Sequence, residues 1–418
     1  PNATFQAPVD VFLTVGDVDL GKTQGNIGTD WRTMLVGGLG RGGKGFFALD
    51  VTNPAATSDA DVAAKALWEF PASGSTHAAN VGYSFSRPVL VKHEVIASNG
   101  SVSGAGWVVL VSSGYNNGGS GDGKGYLYVL NARTGEVIRA ISTNVGSSTS
   151  PSGLGQISTW VDDDSFDNTV RWVYGGDLQG NLWRFDLTKP NPADWSVTLL
   201  ATLTDSGGTP QPITVAPELA RVKAGSDLIN VVAVGTGRYL GDSDVPGTPS
   251  AGTAATQRQS FYVIKDAIDA RTNNYPAVSR SNLVARTLTA VGTDGKRGIG
   301  ANPTAVDWSR NPGWYVDLGI SGERVNADPF IANTSVTFVS NVPSNDPCKP
   351  GGSSHLFQID LVTGSYPLGR NNLNYVSMPL GNALATRPVL VKLPSGKIVA
   401  LIRKSDGSTA VQEIETPV

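Results

Sequence analysis

Cysteine is all but missing. Cys348 is the only one in 418 residues, which excludes an internal disulfide framework and any cysteine-built zinc cage. A partner thiol for it would have to lie outside this stretch of chain. Histidine is nearly as scarce: His77, His93 and His355 are the whole supply, and none has a second His or Cys nearby at metal-ligand spacing. Core or surface positions are the expectation for all three. Charge of one sign is lacking too, since 32 Lys and Arg against 35 Asp and Glu leave a net −3. With no long basic run, the electrostatic footprint of a nucleic-acid binder is absent. No apolar stretch approaches the roughly 18 residues that a membrane-spanning helix needs. There is no signal peptide, and the chain starts at Pro1 instead of Met, which reads as a mature or excised piece of a longer protein. Amphipathic helices longer than a couple of turns are also missing, with Thr57 to Lys65 expected to form one short helix in a loop.

What the chain has in quantity is glycine and proline, 50 and 25 residues respectively. That level stays below the roughly 25–30% that marks low-complexity sequence, and it suits many short strands joined by tight turns. Hydrophobic residues at 40% and charged residues at 16% exclude disorder. Large all-β folds often exceed the usual domain length, so residues 1–418 are expected to form a single all-β domain.

One short pattern recurs five times. Phe46-Phe47-Ala48-Leu49-Asp50-Val51, Leu127-Tyr128-Val129-Leu130-Asn131-Ala132 and Leu182-Trp183-Arg184-Phe185-Asp186-Leu187 are the first three copies. Phe261-Tyr262-Val263-Ile264-Lys265-Asp266 and Leu356-Phe357-Gln358-Ile359-Asp360-Leu361 are the others. Alternation puts Trp183, Phe185 and Leu187 on one face and Arg184 and Asp186 on the other, the period of a strand. After each copy an Asp or Asn can bond forward to a turn, and Gly135 or Gly364 can supply the positive φ. The chain then returns as a new strand such as Ala66-Leu67-Trp68-Glu69-Phe70. Short apolar runs, Val108–Val111, Trp172–Tyr174 and Val231–Val234, precede the copies as buried strands. Ser86–Val91 and Thr386–Val391 repeat one another, each with a Pro suited to a strand's first residue. Four-stranded units repeated around an axis make a β-propeller.

The densest polar feature is Asp162-Asp163-Asp164-Ser165-Phe166-Asp167-Asn168-Thr169-Val170-Arg171. Calcium needs six to eight oxygens, gathered by a turning loop at alternate positions. Asp163, Ser165 and Asp167 fall at positions one, three and five, with the Thr169 carbonyl at seven. Position nine holds Arg171 instead of an acid, and Asn168 stands where the turn glycine belongs. The alternative is a solvated acidic turn in which Arg171 itself replaces the ion. The glycine-rich stretches Tyr115–Gly125 and Gly37–Gly45 lack phosphate-loop spacing and lead into strands, so flexible hairpin loops are expected there. No Gly-x-Ser-x-Gly elbow is present. Sequons at Asn2, Asn99 and Asn333 are treated as incidental.

Two long motifs bring a family into view. Trp31-Arg32-Thr33-Met34-Leu35-Val36-Gly37-Gly38-Leu39-Gly40-Arg41-Gly42-Gly43-Lys44-Gly45-Phe46-Phe47-Ala48-Leu49-Asp50-Val51-Thr52 and Val173-Tyr174-Gly175-Gly176-Asp177-Leu178-Gln179-Gly180-Asn181-Leu182-Trp183-Arg184-Phe185-Asp186-Leu187 resemble hallmarks of the PilC/PilY family. Asp346-Pro347-Cys348 with Gly351-Gly352 resembles a third. Members are tip-associated adhesins and biogenesis factors of bacterial type IV pili. The resemblance runs from about Val9 to the end. It implies a C-terminal, modified seven-bladed propeller related in fold to quinoprotein dehydrogenases, with a truncated first blade. It also implies a large N-terminal region, often von Willebrand A-like, that this chain does not contain. The family's calcium loop maps onto Asp163, Ser165, Asp167 and Thr169, with its last acidic ligand replaced by Arg171. Implied further are contacts with minor pilins and with host-cell or abiotic surfaces. An extracellular place at the pilus tip or outer-membrane surface of a Gram-negative bacterium, and a role in twitching motility, pilus extension and retraction, follow from the same likeness. A second function class shares the repeat: a quinoprotein dehydrogenase using pyrroloquinoline quinone. Such enzymes brace the quinone with a vicinal disulfide, which a single cysteine cannot form.

Overall fold

The computed structural model describes residues 9, 13–24, 28–96, 102–163, 167–267, 277–346, 351–367 and 373–415. Among these the chain is strand and turn, with one short α-helix, Asp59–Ala63, inside the expected stretch and capped by the Ser58 hydroxyl. It divides into two compact units, residues 1–178 with 182–199 and residues 179–181 with 200–418.

The first unit repeats one device. Strands β1 (Thr14–Asp19), β2 (Trp31–Gly38), β3 (Phe46–Asp50) and β4 (Ala66–Phe70) form an antiparallel sheet in that order. Strands β5 (Val89–Ile96), β6 (Val102–Ser112), β7 (Tyr126–Asn131) and β8 (Val137–Ser142) do the same. So do β9 (Leu154–Asp163), β10 (Asp167–Asp177), β11 (Asn181–Asp186) and β12 (Ser196–Thr202). Apolar side chains of neighbouring sheets meet face to face: Val109, Val111, Tyr128 and Leu130 share a core with Val36, Phe46 and Trp68. Val108, Leu110, Leu127 and Val129 share another with Val173, Trp183 and Phe185.

The second unit opens with β13 (Glu218–Ala224), β14 (Asp227–Gly235) and β15 (Ser260–Asp266). Short strands β16 (Val278–Ser279), β17 (Val284–Arg286), β18 (Leu288–Val291) and β19 (Lys296–Ile299) follow, and β20 (Gly313–Asp317) pairs outside β15. Next come β21 (Phe330–Ala332), β22 (Ser335–Pro343), β23 (Gly352–Asp360) and β24 (Ser377–Gly381), again antiparallel in order. Three strands close the described chain: β25 (Val389–Lys392), β26 (Ile398–Arg403) and β27 (Thr409–Ile414). Phe261, Phe338 and Phe357 stack at 4.0 and 4.7 Å between ring centres.

All five copies of the repeat are third strands: β3, β7, β11, β15 and β23. The alternation read from the sequence lies on strand β11. Trp183 and Phe185 are buried, and so is Arg184 on the opposite face. With both faces of the sheet covered, alternation decides which neighbour a residue meets, not whether it meets water.

The turn after the repeat does what its residues suggest, and it does more. The Asn131 side-chain oxygen accepts the N–H groups of Arg133 and Thr134 at 2.9 and 3.3 Å. Asp360 accepts those of Val362 and Thr363 at 3.1 and 2.7 Å. Gly135 and Gly364 take positive φ, +71° and +61°. Each glycine also lies under a tryptophan from a strand of an earlier sheet. The Trp68 indole N–H on β4 donates to the Ala132 carbonyl at 2.9 Å, and Trp314 on β20 donates to Leu361 at 2.8 Å. A Cβ at either glycine would sit 2.7 Å from that ring. Glycine is therefore required twice over, for the backbone angle and for the close approach.

The connection from β14 to β15 is organised around Arg324, 2% exposed. Its guanidinium donates to the carbonyls of Gly322 (2.9 Å), Arg238 (2.6 Å), Asp244 (2.7 Å) and Ala255 (2.6 Å). Nearby, fully buried Glu323 takes both Arg297 terminal nitrogens, at 2.9 and 3.1 Å, and the Ser340 hydroxyl.

Candidate functional site: the acidic hairpin of β9 and β10

The acidic stretch spans the end of one strand and the start of the next. β9 and β10 pair antiparallel, with Asp163 opposite Asp167, Val161 opposite Val170 and Trp160 opposite Trp172. Register shifts on either side of Val170 bend the strand there. Ser165 and Asp164 lie outside the described residues, as do the side chains of Asp162 and Asp163. What the structure does place is the C-terminal half of the proposed ligand set.

Asp167 is held from two sides. Its Oδ1 accepts the Thr169 backbone N–H at 3.1 Å and the Thr169 hydroxyl at 2.6 Å. Lys92 on β5 brings its ammonium to 3.2 Å from the same oxygen, and to 3.0 Å from Glu94. The Thr169 hydroxyl bond, opposed by partial desolvation and then reinforced by Lys92, holds the Asp167 carboxyl below the usual carboxylate range. Burial acts to lower the Lys92 pKa, but the Glu94 and Asp167 carboxylates outweigh it and raise it. Thr169 itself is 3% exposed and pairs with Lys92 across a parallel bridge. The Asn168 side-chain amide donates to the Leu90 carbonyl at 3.3 Å. The start of β10 is thus tied to β5 at three successive residues.

Arg171 is half-buried, and its carbonyl accepts the Leu187 N–H at 3.0 Å. Sequence reasoning nominates Arg171 as the cation that could replace an ion. At Asp167 it is Lys92 that supplies the charge. Lys92 and Glu94 are spaced for one face of a strand, but nothing local shows which carboxylate meets that face, because the pairing spans 75 positions of chain. Among the described residues no group of three or more His, Cys, Asp or Glu side chains forms a metal cage. Oxygen donors remain for a calcium set, with one condition: an ion reaching Asp167 competes with Lys92, since Oδ1 already accepts three donors.

The remaining candidates resolve as structural groups. Ala105 donates its N–H to His93 Nδ1 at 3.0 Å, which leaves Nε2 to donate to the Leu187 carbonyl at 2.9 Å. Burial lowers the His93 pKa, the carbonyl bonds at Leu187 and Lys189 oppose that, and the Arg171 charge adds to the lowering. His77 packs edge-on against Tyr128 at 5.5 Å. The glycine-rich loop Tyr115–Gly125 is tied down and not a free hairpin. Fully buried Asn117 donates to the carbonyls of Asn80 and Lys124, and Asn80 accepts the Asp122 N–H. The Gly37–Gly45 segment makes a three-residue 3-10 turn and enters β3. Cys348 lies outside the described residues.

His355 on β23 gives a pH prediction. Burial, with the nearby Arg297 charge, pushes its pKa down to about 4 from 6.5. The unfolded chain therefore takes this proton at a higher pH than the folded one. The His355 contribution is full above pH 6.5 and is lost as pH falls toward 4. Urea unfolding across that window is expected to show stability dropping on acidification. In His355→Gln the dependence on acid should be shallower; an unchanged slope contradicts the assignment.

Comparison with known proteins fits this geometry. The model for the PilY1 beta-propeller domain matches residues 3–294. The type IV pilus biogenesis factor PilY1 of Pseudomonas aeruginosa strain PAO1 is 31% identical over 375 residues, 81% of this chain and 29% of that protein. A PilY1 homolog of Xylella fastidiosa is 30% identical over 377 residues, 82% of this chain and 22% of that protein. The chain thus spans less than a third of the length of these curated relatives. The crystal structure of the Pseudomonas aeruginosa PilY1 C-terminal domain superposes with a TM-score of 0.71 at 25% identity, over 97% of this chain and 83% of that one. The fold is an all-β propeller, and the chain belongs to the PilY1 β-propeller family.

Proposed function

We propose that this chain is the propeller of a type IV pilus biogenesis factor, acting by non-covalent contact and not by catalysis. The observation that carries the reading is the family match across residues 3–294, joined to the superposition on the PilY1 C-terminal domain. In this reading it sits at the pilus tip or outer surface of a Gram-negative cell. There it contacts minor pilins, primes assembly, opposes retraction, and so serves twitching motility and attachment to host cells or abiotic surfaces. A rigid propeller presenting long loops suits contact work. The small negative net charge offers nothing to nucleic acid. In a pull-down with purified minor pilins of the same organism, the folded chain is expected to retain them. Absence of retention by a chain with an intact thermal transition contradicts the reading.

Calcium enters the same proposal at the β9–β10 hairpin, through Asp163, Ser165, Asp167 and the Thr169 carbonyl, in competition with the Lys92 ammonium. Binding is then weak in the native chain and strengthened by removing the competitor. Calorimetric titration should show Lys92→Gln binding calcium about tenfold more tightly, the equivalent of ~1.4 kcal/mol. Arg171→Asp, which restores an acid at position nine, should act in the same direction, and Asp167→Ala should abolish the heat. Equal weak heats in all four proteins would mean that the hairpin is an acidic turn and nothing more.

A further inference from the structure

β15 and its outer neighbour β20 lie far apart in the chain. β7 ends at Asn131 and β8 starts at Val137, but β15 ends at Asp266 and β20 starts only at Gly313. Residues 278–299, between them, make an excursion. β16 pairs with Ala201 and Thr202 at the end of β12, and β17 then lies outside β20. The antiparallel pair β18 and β19 crosses to the next sheet, where β19 pairs outside β24 through Arg297 and Ser377. The Arg297 carbonyl also accepts the Val376 N–H at 2.8 Å. From there the chain returns to β20. It therefore leaves the β14–β15 sheet, takes the outer edge of the β22–β23 sheet, and comes back.

Three arginines fix this strap, and each reaches away from the strand beside it. Arg280, just after β16, brings Nη2 to 2.5 Å from Asp317 on β20 and lies over the Tyr315 ring at 3.9 Å. Arg286 is on β17, beside β20, yet it donates to the Thr363 carbonyl in the turn after β23, at 2.6 and 3.1 Å. A third bond, of 2.8 Å, goes to the Thr304 carbonyl. Arg297 is on β19, beside β24, yet its partner Glu323 belongs to the link between β20 and β21. Its guanidinium also lies over Phe357 on β23, at 5.4 Å. Arg286 and Arg297 are 4% and 9% exposed. At the end of the strap the Tyr366 hydroxyl accepts the Ile299 N–H at 3.0 Å and donates to the Ile299 carbonyl at 2.9 Å. Strands at the margin of a sheet, with few buried contacts, ordinarily open first. This margin is pinned by buried guanidinium forks whose acceptors would be left bare on release.

We propose that residues 278–299 are a clasp that locks the β14–β15 sheet to the β22–β23 sheet, so that neither opens until the strap is peeled away. The consequence is kinetic: the clasp slows unfolding and the cleavage that follows it. This inference does not depend on the pilus reading.

Hydrogen exchange of the whole chain in rising, sub-denaturing urea tests it. The amides of Ile299, Gly300 and Val376 report the strap, since they bond to Tyr366, Thr287 and Arg297. In the unaltered protein they should be protected to within about tenfold of the slowest amides of β14 and β23. Arg286→Lys, and separately Arg297→Lys, should speed exchange in β14 and β23 alike, by roughly tenfold or more, because an ammonium does not reproduce the fork. Strap amides that exchange faster than that tenfold margin overturn the proposal, because the strap then detaches while the sheets stay closed. An acceleration confined to the strap and to the turn at residues 363–364 also overturns it, because each arginine then serves only its own contacts. If a variant does not fold, the comparison within the unaltered protein decides.

Discussion

Replacing Arg324 by alanine is expected to destabilise the protein by roughly 3–5 kcal/mol and to open the β14–β15 connection to proteolysis. The four carbonyls that receive its guanidinium are those of Gly322, Arg238, Asp244 and Ala255. Arg324 is 2% exposed, so water does not replace it without rearrangement, and each buried acceptor left bare costs about 1–3 kcal/mol. Part of that cost is recovered as the loop relaxes, which sets the lower end of the range. Asp244 gives the loop a second tie: its carboxylate accepts Arg238 Nε at 2.8 Å and the Leu240 N–H at 2.9 Å. That tie keeps the segment near Leu240 ordered, so cleavage should concentrate toward Ala255. Arg324→Lys should recover little, because a compact ammonium cannot span carbonyls arranged around a planar fork. Urea unfolding with limited proteolysis reads both effects. A loss below ~1 kcal/mol would mean that the loop is ordered by something other than Arg324.

Trp314→Ala is the second large effect, an expected loss of about 3–5 kcal/mol. The ring is fully buried, lies on Gly364, and donates to the Leu361 carbonyl at 2.8 Å. Trp314→Phe should cost less, since much of the contact remains and the missing hydrogen bond is worth about 1 kcal/mol. Gly364→Ala attacks the same contact from below. It places a side chain at φ +61° with its Cβ 2.7 Å from the indole and 2.9 Å from Arg286 Nε, and the backbone strain alone is of order 1–3 kcal/mol. The pair makes a coupled prediction. Once Trp314 is alanine, the added methyl at residue 364 no longer meets the ring, so the double variant should lose less than the two single losses combined. Strict additivity would show that the turn and the tryptophan do not support one another.

Features set by neighbours in sequence are legible in the residues alone. The repeat ending in Asn131 or Asp360 announces a strand and the turn that follows, because side chain, turn amide and glycine all fall within five residues. Helix Asp59–Ala63 and the prolines ahead of β5 and β25 are visible for the same local reason. Groups whose partners come from far along the chain are not. Lys92 looks like an ordinary strand lysine until β10 lies beside β5, and Arg324 looks like a surface residue until the β14–β15 connection closes around it. The acidic stretch shows both sides. Its composition marks it as a site, yet its spacing suggests a continuous turning loop where the structure places Asp163 and Asp167 opposite one another at the ends of paired strands. Tyr115–Gly125 reads as flexible because glycine permits many conformations. Its order comes from Asn117 and Asn80, whose contacts reach across about 40 residues.

The most direct test of the central claim is a chimera in which this chain replaces the corresponding C-terminal propeller of Pseudomonas aeruginosa PilY1 in a strain lacking its own copy. Surface pili are counted by electron microscopy after the chimeric protein is shown to be present at the parental level. Assembly through propeller contacts predicts pili restored well above the deletion background. A stably produced chimera with pili no more numerous than in the deletion strain would contradict it.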